Sequence, residues 1–135
     1  MPTFKRIDHV VIATADLEDA ARLWERNLGL KPDKSLDHPL GAGFKVARLP
    51  VGGSFLELVQ PVEQKGRFYE QFQQRGEGMF SISIEVDDLE DAIAYLREKG
   101  AKVSDPEPGI WPSTRVARIS QVSTHGVSIQ LIERR

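Results

Sequence analysis

Asp16-Leu17-Glu18-Asp19-Ala20 returns letter for letter as Asp88-Leu89-Glu90-Asp91-Ala92. Each copy follows a run with strand-like alternation and opens a run of helical period that stops at glycine. The first reads Ile7-Asp8-His9-Val10-Val11-Ile12-Ala13, then residues 16–28, then Gly29. The second reads Ser81-Ile82-Ser83-Ile84-Glu85-Val86, then residues 88–99, then Gly100. An aspartate in front of a helix accepts from backbone N–H groups that the first turn leaves unbonded, and acidic residues after it meet the positive end of the helix dipole. A glycine behind the helix takes the left-handed conformation that closes it. Asp16 and Asp88 are therefore read as N-caps, and Gly29 and Gly100 as closing residues. Leu17, Ala20, Ala21, Trp24 and Leu28 fall on one stripe of the first helix, and Leu89, Ala92, Ile93 and Leu96 on one stripe of the second. A five-residue identity with matching flanks on both sides is an internal duplication.

Working outward, strand-like stretches follow each helix. In the first half they are residues 43–50 and 54–60, parted by the hairpin signal Gly52-Gly53; in the second they are 114–122 and 127–133, parted by Ser123-Thr124-His125-Gly126. A short extra strand is expected near 31–34 and again near 101–104, so each half reads βαβββ. A short helix is expected at 68–75, and residues 105–112, with three of the eight prolines and Trp111, are expected to be irregular. The domain plan is a single domain, 1–135, made of repeat 1 (1–61), a linker (62–78) and repeat 2 (79–135).

Composition narrows the function. The chain has 135 residues, 40% hydrophobic and 28% charged, which suits one folded domain. Eighteen Lys and Arg against twenty Asp and Glu give a net charge of −2, and no basic run exceeds two residues, so no nucleic-acid partner is expected. Cysteine is absent, which excludes disulfides, thiolate metal sites and a cysteine nucleophile. No wholly apolar run exceeds five residues, and those at 10–13 and 92–96 are far short of a membrane span. The opening MPTFKRIDHV lacks the apolar stretch of a secretory signal, and a cytoplasmic address is expected. There is no phosphate-cradling glycine loop and no serine nucleophile elbow.

A duplicated βαβββ module opening with Ile7-Asp8-His9-Val10 resembles the vicinal oxygen chelate superfamily, which includes the glyoxalase, bleomycin-resistance and dioxygenase proteins. Residues 55–61, Phe-Leu-Glu-Leu-Val-Gln-Pro, the approach Gly78-Met79 and the run Ile84-Glu85-Val86-Asp87-Asp88 resemble segments of its methylmalonyl-CoA epimerase branch. The resemblance implies an α+β fold in which paired modules form a cup-shaped, mostly antiparallel, glyoxalase-like sheet. It also implies a divalent metal (Mn, Co, Ni, Fe or Zn) held by four residues on that sheet. His9 matches the first ligand position and Glu57 the second. The third, histidine in the epimerases, falls on Ser81 when the repeats are aligned, and the fourth, glutamate in the family, falls on Gln130. Half of the set is thus intact and half has become neutral donors, which bind such ions less well. The metal ligands implied are His9, Glu57 and Gln130. A dioxygenase, which needs two histidines and a carboxylate, is not supported, and glyoxalase-type chemistry suffers from the same loss.

Two functions follow. The first is a small-molecule isomerase or lyase like methylmalonyl-CoA epimerase, with a partly degenerate metal site, Glu57 as the catalytic residue, and Ser81, Ser83 and Gln130 binding substrate, possible substrates including acyl-CoA. The alternative is a metal-free protein that sequesters a small ligand on the same fold. Strand alternation puts Glu57 on one face with Phe55 and Val59, where a carboxylate needs a partner; a bond to His9 is one option. Ser81, Ser83 and Glu85 share a face that is either ordinary half-buried alternation or a polar wall. Lys45, Arg48, Arg115 and Arg118 are cations whose facing alternation leaves open. His38 is a candidate base on a loop, and His125 is expected to face solvent. A homodimer is expected, because short modules leave sheet edges that proteins tend to pair.

Overall fold

In the computed structural model, which describes residues 1–33 and 43–135, the repeated aspartates do what their position asks. Helix α1 (Leu17–Leu28) starts behind Asp16, whose side chain accepts from the Asp19 N–H at 3.0 Å, and it ends on Gly29 at φ 72°. Helix α3 (Leu89–Glu98) starts behind Asp88, which accepts from the Asp91 N–H at 3.0 Å. Between them lies α2 (Arg67–Arg75), one residue longer than its sequence pattern suggests. The strands are β1 (Phe4–Ala13), β2 (Phe44–Val51), β3 (Ser54–Pro61), β4 (Gly78–Val86), β5 (Glu107–Pro108), β6 (Thr114–Ile119) and β7 (Ile129–Arg134). The class is α+β, and the ladders β2–β3, β5–β6 and β6–β7 are antiparallel.

Two compact units share the chain, and β1 contributes to both. One comprises Met1–His9 and Ser81–Arg135; the other is Val10–Phe80. The first nine residues go with the later half because Asp87 N–H donates to the Thr3 carbonyl at 3.2 Å while the Asp87 carboxylate accepts from Thr3 N–H at 2.9 Å.

In the unit of Met1–His9 and Ser81–Arg135 the strand order is β1-β4-β7-β6-β5. The closing strand β7 returns parallel to the opening strand β4, with Ser83 opposite Gln130 and Glu85 opposite Ile132. A parallel return needs a long crossover, and α3 with β5 and β6 supplies it. Val86, Leu89, Ala92, Ile93, Ala117 and Leu131 form the core beneath α3, with Ile84 and Leu96 packed against it. Alternation then sends Ser81, Ser83 and Glu85 to the opposite face of β4.

In the Val10–Phe80 unit the order is β2-β3-β1. Leu17, Ala20, Ala21 and Trp24 of α1 pack on Ala47, Leu49 and Leu58. Leu28, expected on the same stripe, is 62% exposed in the last turn, beyond the reach of the sheet. Phe68 anchors α2 between Phe44 and Phe80, with ring centroids 5.8 and 4.6 Å away.

Three local expectations change. β6 stops at Ile119 instead of running to 122, because residues Gln121–Thr124 wind into a 3-10 turn closed by the Gly126 N–H on the Gln121 carbonyl at 2.8 Å. The proline-rich stretch holds the two-residue edge strand β5, where Pro108 needs no donor on its outer side. Beside it Gly109 leaves no room for a Cβ against the Thr114 hydroxyl. Near 101–104 only Val103 bridges, to Ile119; residues 31–33 form no strand, and the remainder of that expected strand lies outside the described residues.

Candidate functional site

His9 and Asp8 are neighbours in β1, and both are buried. His9 Nδ1 lies 2.7 Å from Asp8 Oδ2. From β7, Arg134 forks the same carboxylate, donating from Nε to Oδ1 and from Nη2 to Oδ2, each at 2.8 Å. Arg6 adds a donor to Oδ1 at 3.2 Å and reaches Glu85 Oε1 of β4 at 2.8 Å. Burial pushes the Asp8 carboxyl up, but the hydrogen bonds from Arg134 and His9 and the Arg134 charge outweigh it and hold the group well below the usual carboxylate range. Sequence reasoning singled out His9 and missed both Asp8 and Arg134. The Asp-His adjacency was visible; the link to a residue 126 positions away was not.

On the same unit, Gln130 Nε2 donates to Ser83 Oγ at 3.0 Å across the parallel β4–β7 pair. Ser83 is fully buried, and Ser81, two residues back on the same strand face, is half-buried. On the same face, Glu85 is held by Arg6 and Lys5. With its amide nitrogen on Ser83, Gln130 keeps Oε1 as its remaining acceptor.

In the Val10–Phe80 unit, Glu57 of β3 stands directly opposite Arg48 of β2. Arg48 Nε is 4.0 Å from Glu57 Oε2, and both side chains are almost wholly buried. The guanidinium carbon lies over the Phe55 ring, 3.7 Å from its centroid. Residues paired across a ladder share a face, so the acid meets its cation by register. The open choice among four cations is thereby resolved: Arg48 accompanies Glu57, and Lys45 and Arg118 are exposed. Arg118 stands opposite Gln130 but pairs outward with Glu107 at 2.6 Å. Arg115 turns to the helix side, where it bonds Glu90 of α3 and Glu133 of β7.

Among the described residues, Asp88, Glu90 and Glu133 are the one group of three His or carboxylate ligand atoms within 4.8 Å of one another. Each already has a structural partner: Asp88 caps α3, Glu133 accepts from the Leu89 N–H at 2.8 Å, and Arg115 bridges Glu90 and Glu133. This is a clamp on the helix start, and none of the metal ligands implied by the resemblance belongs to it. His125 is exposed in a left-handed turn position at φ 54°. Trp111 is half-buried, and its carbonyl accepts from the Thr114 hydroxyl at 2.6 Å. His38 lies outside the described residues.

Comparison with known proteins bears on the family and the fold. A sequence model of the Glyoxalase/Bleomycin resistance protein/Dioxygenase superfamily matches residues 8–117. The mitochondrial methylmalonyl-CoA epimerase of Homo sapiens is 32% identical over 95 residues, covering 70% of this chain and 53% of that protein; the chain thus spans about half the length of this relative. An ethylmalonyl-CoA/methylmalonyl-CoA epimerase of Cereibacter sphaeroides is 32% identical over 100 residues, 73% of each chain. A Streptomyces coelicolor methylmalonyl-CoA epimerase variant in complex with 2-nitronate-propionyl-CoA superposes with a TM-score of 0.82 at 23% identity, covering 98% of this chain and 96% of that one.

Proposed function

We propose, from the premise that the chain belongs to the Glyoxalase/Bleomycin resistance protein/Dioxygenase superfamily, that it is an isomerase or lyase that removes the proton beside the carbonyl of a small acyl thioester, in the manner of an epimerase. The observation that carries the reading is the burial of the Glu57 carboxylate, 3% exposed on β3. Burying a carboxylate is expensive and has little purely structural return, whereas proton abstraction needs a base shielded from water. Glu57 takes the α-proton, leaving an enolate whose negative charge rests on the thioester oxygen. A proton delivered from solvent water to the opposite face of that carbon gives the epimer, and Glu57 gives its proton back to solvent.

By donor type alone, three side chains are proposed as ligands of a divalent ion of the Mn, Fe, Co, Ni or Zn kind. His9 offers an imidazole backed by Asp8, Glu57 a carboxylate, and Gln130 an amide oxygen, a mixed set of one nitrogen and two oxygens. When bound, such an ion supplies a Lewis acid for the carbonyl oxygen. Ser81, Ser83 and Gln130 are proposed to hydrogen-bond the acyl group, the assembly is proposed to be a homodimer, and its place of work the cytoplasm.

A second reading, a metal-free ligand-sequestering protein, is favoured by one observation: Glu57 already has a cation beside it in Arg48. Deuterium exchange separates the two. Methylmalonyl-CoA incubated with the protein and manganese in deuterated water exchanges its α-proton if the enzyme reading holds. Glu57→Gln slows that exchange by about 100-fold or more. Absence of exchange on methylmalonyl-CoA and on ethylmalonyl-CoA, with and without manganese, refutes the enzyme reading.

A further inference from the structure

We propose that Asp8 and Arg134 are a positioning pair that fixes the tautomer of His9, so that the ring presents a lone pair at Nε2 instead of an N–H. The proposal deepens the reading of His9 given above and rests on it only for the use made of that lone pair. Asp8 is fully buried, and three guanidinium N–H groups converge on it: Arg134 Nε and Arg6 Nη2 on Oδ1, Arg134 Nη2 on Oδ2. Guanidinium nitrogens only donate, and a carboxylate forked in this way uses both oxygens as acceptors. Oδ2, which also faces His9 at 2.7 Å, therefore accepts a hydrogen bond from Nδ1–H. In a neutral imidazole with Nδ1–H, the lone pair is on Nε2. That is the atom a metal or an acidic proton would use, and a carboxylate on the other ring nitrogen orients such a ring and raises its basicity. The arrangement reaches from β1 to β7, so strand pairing holds the ring's orientation as well as its proton.

The ring nitrogens report directly. The chain has three histidines, so His38→Gln and His125→Gln variants assign the signals in a long-range proton–nitrogen correlation spectrum. In mildly alkaline buffer, where imidazoles are neutral, wild-type His9 shows a protonated Nδ1 and an unprotonated Nε2. A protonated Nε2 in the wild type overturns the proposal, and this measurement needs no variant to fold. In Asp8→Asn, two guanidinium donors draw the amide oxygen to the Oδ1 position and turn the NH2 toward Nδ1. His9 then flips to the Nε2–H tautomer; if it keeps its Nδ1 proton in the folded variant, Asp8 does not set the tautomer and the proposal fails. Cobalt(II) titration of the same two proteins tests the use. A flip together with about 10–100-fold weaker cobalt binding supports the pair acting on a ligand. A flip with unchanged cobalt affinity supports the positioning pair and removes His9 from the metal set.

Discussion

Replacing Arg48 by methionine removes the cation from a buried pair and leaves Glu57 facing an apolar side chain. Arg48 is 6% exposed and Glu57 3%, so solvent screens the pair little. Breaking a buried ion pair from one side costs about 3–5 kcal/mol. The Nε–Oε2 separation of 4.0 Å is longer than a close charge-assisted contact of about 2.8 Å, which scales the Coulomb attraction by about 0.7. The expected loss is about 2–3 kcal/mol, part of it from the guanidinium over Phe55, a contact worth up to about 2 kcal/mol when desolvated. With a urea m-value of about 2 kcal/mol/M, the unfolding midpoint falls by about 1–1.5 M. The companion measurement is the double variant Arg48→Met with Glu57→Leu. Exchanging both charges for apolar groups of similar volume is often neutral or stabilising, so the double variant should recover most of the single variant's loss. Equilibrium urea unfolding followed by circular dichroism reads the wild type, Arg48→Met, Glu57→Leu and the double variant. A single-variant loss below about 0.5 kcal/mol, or a double-variant loss equal to the sum of the two singles, refutes the claim that these side chains depend on each other.

Further outcomes follow from the helix caps and from Glu133 at the start of α3. Asp88→Ala removes the bond to the Asp91 N–H and should cost about 1 kcal/mol, as should Asp16→Ala at the matching helix; a thermal melt of each checks it. Burial pushes Glu133 up, but the Leu89 N–H, Arg115 and Arg135 outweigh it and hold the carboxyl below its ordinary value. A lowered folded pKa adds stability above the unfolded value of about 4.3, and that stability drains away as pH falls through the lower folded value. Urea midpoints between pH 7 and pH 3 should therefore drop less steeply in Glu133→Gln than in the wild type, and equal slopes would contradict the assignment.

The duplicated Asp-Leu-Glu-Asp-Ala motif determined a good deal by itself, because caps, closing glycines and helical stripes are local effects that act within a few residues. Both helices, the β2–β3 hairpin and the α+β class follow from it and from its flanks. Periodicity was less informative where a strand has to end: nothing in the alternation of residues 114–122 says that Gln121–Thr124 turns away after Ile119. Alternation also fixes only which residues share a face, never what stands opposite. Glu57 was legible as a carboxylate needing a partner, yet the choice of Arg48 came from the β2–β3 register. His9 was legible as a residue of interest, while Asp8 and Arg134 acquired their role only when β7 returned parallel to β4. Charges far apart in sequence find each other through strand register, and register is set by the packing of whole hydrophobic faces against helices. The residue types that can do chemistry were therefore readable in the chain, and the partners that govern their protons and charges were decided by the tertiary structure.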